Sequence, residues 1–118
     1  MRRKLVILAA LWMAALGLTA CAGESPETPG SGGTSIHITI KDGEVNPAGD
    51  RVKAKVGEPI TLHIDADTAG ELHVHSTPEQ EIAFPKGTST KELTVEQPGI
   101  VDLEDHALEK VIVQLQVS

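Results

Sequence analysis

Aromatic side chains are almost missing from this chain: Trp12 and Phe84 make up its 2% aromatic content, and there is no tyrosine. Cysteine occurs once, at Cys21, and the two methionines, Met1 and Met13, both fall near the start. Positive charge is scarce as well. Ten Lys and Arg face seventeen Asp and Glu over 118 residues, for a formal net charge of -7. Arg2, Arg3 and Lys4 belong to the leading segment, so residues 21–118 keep seven basic against seventeen acidic side chains, a net charge of -10. Each absence excludes something. A body without a basic stripe or stacking rings has no means of neutralising phosphates or holding bases, which excludes nucleic-acid binding. A single cysteine excludes an intrachain disulfide. The length allows one modest domain and rules out a multi-domain enzyme with a deep cleft.

The leading segment reads as an address. Arg2-Arg3-Lys4 is a positive n-region, and Leu5 to Leu16 is an apolar stretch too short to remain across a bilayer, the plan of a secretory signal peptide. It ends in Leu18-Thr19-Ala20-Cys21, which resembles the bacterial lipobox, whose cysteine becomes the first mature residue and carries lipid. That reading also accounts for a lone cysteine in an oxidising compartment. The alternative is that Ala20-Cys21-Ala22 is an ordinary cleavage site of the A-x-A kind and the protein is released. Two or three acyl chains on Cys21 would hold the protein at the membrane, where one would not. The expected organisation is a lipoprotein signal peptide over 1–20, the lipidated cysteine and a flexible tether over 21–35, and a folded domain over 36–118. Residues 22–35, AGESPETPGSGGTS, contain no apolar periodicity and cannot build a core. The expected location is the extracytoplasmic face of the cell membrane.

Beyond the tether, apolar residues recur with period two. They stand at Ile36, Ile38 and Ile40, at Val52, Ala54 and Val56, at Ile60, Leu62 and Ile64, and at Leu72 and Val74. The pattern resumes at Leu93 and Val95, Val101 and Leu103, and Val111 to Val117. Turn signals such as Asp42-Gly43, Asn46-Pro47, Pro85-Lys86-Gly87 and Pro98-Gly99 separate the runs. The expectation is an all-β, antiparallel Greek-key sandwich or small barrel of seven or eight strands, with His106 to Lys110 forming one turn at most. A monomer is expected.

Histidine and carboxylate are the side chains left to do chemistry. In Glu71-Leu72-His73-Val74-His75, residues two apart share one side of a strand, so His73 and His75 can face one ion while Leu72 and Val74 face the core. Glu104-Asp105-His106 ends a later strand; if that strand lies beside the first, His106 or Glu104 completes a site of nitrogen and oxygen donors. Such donors suit copper(II), or less well zinc(II), and not copper(I) held by soft sulfur. The alternative is that the histidines merely sit on a solvated strand face and no metal is bound. His37 and His63 alternate with core residues and receive no role. Asp65-Ala66-Asp67-Thr68-Ala69-Gly70 has the opening of a calcium loop but carries Ala69 and Ser76 where oxygen ligands are needed, so a turn explains it better. No arrangement suggests an enzyme: Asp102 and Glu104 share a strand face, but a domain this small offers no evident cleft to orient a substrate.

The order of features resembles the cupredoxins. Val52-Lys53-Ala54-Lys55-Val56-Gly57-Glu58-Pro59-Ile60-Thr61-Leu62-His63-Ile64 is similar to their strand, Gly-acidic turn and second strand, and His73 falls where the first copper histidine is expected. Phe84 and Gly87 precede Leu93-Thr94-Val95, and Pro98-Gly99-Ile100-Val101-Asp102-Leu103-Glu104-Asp105-His106 resembles the strand leading to the copper cysteine. The resemblance covers 36–118 and implies a cupredoxin-like fold. Two departures are decisive. Asp105 stands in the cysteine's place and the mature chain has no methionine, so a blue-copper electron-transfer centre cannot form. Histidine ligands in that family also point into the sandwich, whereas the alternation here turns Leu72 and Val74 inward; a bulge would be needed to reverse them. Together, the lipobox, the histidine and carboxylate donors and this resemblance lead to the expectation of a lipid-anchored, non-blue module binding copper(II) or another transition metal, with a metal-free interaction or envelope-associated module as the alternative.

Overall fold

Alternating Val, Ile and Leu positions form strands whose apolar sides face one another. The structure is a computed structural model and describes residues 33–118. The expected signal peptide, Cys21 and the expected tether up to residue 32 lie outside the described residues. The strands are β1 (Thr34–Lys41), β2 (Glu44–Asn46), β3 (Asp50–Ala54), β4 (Ile60–Ala66), β5 (Gly70–Val74), β6 (Gln80–Phe84), β7 (Gly87–Leu93), β8 (Gly99–Asp105) and β9 (Lys110–Val117). They form a four-stranded sheet in the order β2-β1-β4-β7 and a five-stranded sheet in the order β3-β9-β8-β5-β6. Ile36, Ile38, Ile40, Ile60, Leu62 and Ile64 of the first sheet are buried in one core with Leu72, Val74, Leu103, Val113 and Leu115 of the second. Each such side chain contributes roughly 1.5–3 kcal/mol before the entropy of ordering is subtracted.

The all-β sandwich is the expected one, and three details differ from expectation. Nine strands are present among the described residues, where seven or eight were expected. β2 is only three residues long, and Asp42 and Gly43, with φ of 53° and 74°, close it onto β1 as a two-residue hairpin. On β6 and β7 the inward positions are Gln80, Ile82 and Phe84, and Ser89, Lys91 and Leu93, so polar residues interrupt the apolar alternation. The pairing is also not wholly antiparallel: β1 runs parallel to β4, and β3 parallel to β9. Between β1 and β4 the chain crosses to the other sheet as β3 and then returns, which leaves β1 and β4 pointing the same way. Finally, β1 begins at Thr34, two residues into the stretch assigned to the tether, and the Thr34 hydroxyl donates to the Lys53 carbonyl at 3.0 Å. Residues 106–109 form a turn and not a helix, as expected.

Candidate metal site

β5 lies between β6 and β8, and this order assembles the site. Across the three strands Glu81, His73 and Glu104 stand in one row, since His73 pairs with Glu81 on one side and with Glu104 on the other. His75 follows two residues later on the same face, and its amide donates to the Asp102 carbonyl at 2.9 Å. At the opposite end of the pairing the His106 amide donates to the Glu71 carbonyl at 3.0 Å, which continues the ladder past Asp105 and sets His106 diagonally from His73. Leu72, Val74 and Leu103, at 0% exposure, alternate with these residues, so the histidines and Glu104 lie on the outer face of the five-stranded sheet.

His73, His75, His106 and Glu104, far apart in sequence, therefore share one patch. The rings of His73 and His106 meet edge to face with centroids 4.9 Å apart, and those of His73 and His75 with centroids 5.5 Å apart. Carboxylates lie beside two of them. His73 Nε2 lies 3.0 Å from Glu81 Oε1, His75 Nε2 lies 3.0 Å from Glu104 Oε2, and His75 Nδ1 lies 3.6 Å from Glu79 Oε1. Glu81 and Glu79 went unread in the sequence. Their signal was the period-two spacing Glu79-Gln80-Glu81 before Ile82, which matters only once β6 is seen beside β5.

As the side chains stand, no group of three or more His, Cys, Asp or Glu among the described residues is arranged to hold a metal ion. His73 and His75 are instead paired with carboxylates, and ligation by three imidazoles requires the side chains to rearrange. Glu81 beside one nitrogen of His73 has the relation of an orienting carboxylate to a ligating imidazole, leaving the other ring nitrogen for an ion.

The interior position that the resemblance assigns to copper is used differently. Asp105 is 3% exposed, faces the core side, and accepts the Leu108 amide at 2.8 Å, closing the turn into β9. The ladder shifts register between Leu103 and Glu104, on β8 against β9 and not on β5, so His73 is not turned inward. Residues 33–118 contain neither Cys nor Met, and a thiolate-based copper centre does not fit them. The donors of the outer face, imidazole nitrogen and carboxylate oxygen, fit copper(II) or zinc(II).

No family model matches the chain. No curated protein matches it either. Solved structures do. A methionine-to-alanine variant of amicyanin in its Cu(I) form superposes with a TM-score of 0.52 at 14% identity, covering 71% of this chain and 82% of that one. A reduced tryptophan-to-tyrosine variant of amicyanin gives 0.53 at 14% identity over 76% and 87%. The purple cupredoxin from Nitrosopumilus maritimus gives 0.50 at 18% identity over 72% of this chain and 99% of that one. At these identities the similarity concerns the fold, which is cupredoxin-like.

Proposed function

We propose that this chain is a lipid-anchored, extracytoplasmic, cupredoxin-like module that binds copper(II), with zinc(II) as a weaker alternative, through His73, His75 and His106 assisted by Glu104. Its role is to bind or hand over metal, without a blue-copper centre and without catalysis. The observation that carries the reading is the meeting of His73 and His106, rings 4.9 Å apart, on a face where Glu79, Glu81 and Glu104 supply negative charge. Cations are drawn to such a face, and imidazole with carboxylate is a donor set for copper(II) and zinc(II). Bound, the ion would be held by imidazole nitrogens, while Glu81 orients His73 and Glu104 either orients His75 or ligates directly.

Copper(II) and zinc(II) titrations of the purified protein, compared with His73→Ala and His106→Ala, test this. Binding at micromolar strength or better is expected in the parent, with a loss of at least tenfold in each variant. Binding weaker than micromolar, or unchanged by both substitutions, overturns it. One observation favours a second reading, a metal-free interaction module: His73 and His75 are already paired with glutamates. That module would show no saturable metal binding at this face.

A further inference from the structure

The two histidines outside this cluster also meet, on the other sheet. β1 and β4 run parallel with His37 directly beside His63 in register. Ile36, Ile38, Leu62 and Ile64 are buried on either side of them, so both rings point away from the core. The rings stack with centroids 4.7 Å apart and planes at 19°. Around them is an open depression of about 550 Å3 whose walls include Thr39, Asp65, Thr88 and Thr90. Thr90 is the register partner of His63 on β7, and its Oγ1 lies 3.4 Å from His63 Nδ1.

We infer that His37 and His63 form a second, separate site for a divalent transition cation, which binds between the two imidazoles. Two nitrogens bound to one ion at about 2.0–2.1 Å each stand roughly 3 Å apart. The rings already occupy neighbouring positions on paired strands, so a tilt about the side-chain bonds brings their nitrogens to that spacing with the backbone unmoved. Thr90 supplies the orienting partner. With the proton of neutral His63 on Nδ1, that N–H donates to Thr90 Oγ1 and leaves Nε2 to ligate, the arrangement by which outer partners set the ring of a metal-bound histidine.

Asp65, on the same face, is already partnered through one of its oxygens. Its Oδ2 is held by Lys41 Nζ at 2.6 Å, and this hydrogen bond, with the charge of Asp65, raises the Lys41 pKa above its ordinary value. The remaining coordination positions face the depression and water. The site is therefore open and exchangeable, suited to zinc(II), copper(II) or nickel(II) and not to hard cations that require a shell of oxygen donors. It lies on the sheet opposite His73 and shares no residue with that cluster, so the two sites act independently.

Zinc(II) calorimetry on the purified protein separates the sites, using the parent, a His37→Gln/His63→Gln variant and a His73→Ala/His106→Ala variant, with far-UV circular dichroism to verify folding. Two equivalents are expected in the parent and one in each double variant. Adding Thr90→Val to the His73→Ala/His106→Ala variant should weaken the remaining equivalent about tenfold. A His37→Gln/His63→Gln protein that titrates like the parent overturns this inference. Loss of all binding on removing His73 and His106 overturns it too while sparing the cluster; loss confined to the His37→Gln/His63→Gln variant sustains it and defeats the cluster as a zinc site, leaving its copper(II) binding to the copper titration.

Discussion

Phe84 is the sole Phe, Tyr or Trp in residues 33–118, and it lies over a glycine. Gly70 is its register partner on β5, and a Cβ added there would come within 2.6 Å of the ring's Cζ. The glycine is thus required by close approach of the ring, and the ring in turn covers a strand position with no side chain of its own. Phe84→Ala is expected to cost about 3–5 kcal/mol, read as a lower midpoint in urea; a loss below about 1 kcal/mol would contradict this packing. Gly70→Ala is expected to destabilise alone and to do so much less in the Phe84→Ala background, because the clash disappears with the ring. The same contrast describes which site residues were legible. His73, His75, Glu104 and His106 could be picked out because period two assigns each to a strand face. Glu81 and Glu79 could not, since the strand that carries Glu81 beside His73 shows no clear apolar alternation.

Strands announce themselves when one face carries a run of alternating apolar residues, and β1, β4, β5, β8 and β9 do so. β7 does not, because Lys91 occupies an inward position opposite buried Leu62. β7 ends the order of the four-stranded sheet. An inward-pointing charge on an edge strand weakens the edge as a template for another chain, so the residue that hides the strand from a hydrophobicity reading also limits self-pairing. Lys91→Val is expected to raise stability slightly by adding apolar burial and to increase self-association. Sedimentation velocity over a concentration series would show faster species; a variant that sediments as the parent at every concentration would remove the edge-protection argument. Strand direction was illegible for a different reason. Alternation is identical in parallel and antiparallel strands, so the β1–β4 and β3–β9 pairings could not be read from it. His37 and His63 owe their meeting to the first of these, which is why no role could be assigned to them from spacing.

For the whole molecule, the decisive quantity is the charge of residues 21–118, seven basic against seventeen acidic side chains. A body of that sign is repelled by anionic headgroups, so electrostatics cannot hold it at a membrane surface. If the protein is retained there, as proposed, through covalent lipid, two or three acyl chains on Cys21 are needed because one gives only reversible binding. Washing membranes with high salt should then leave the parent in place, whereas Cys21→Ala should move it to the soluble fraction. Both proposed metal sites lie within residues 33–118, and neither uses Cys21. The released variant is therefore expected to bind the same number of zinc equivalents as the parent, with the same affinities. Fractionation with immunodetection reads the first outcome and calorimetry the second. A Cys21→Ala protein that stays with the membrane would overturn the lipid anchor and point to a protein partner there, and released protein with altered zinc stoichiometry would show that the anchor and the sites are coupled.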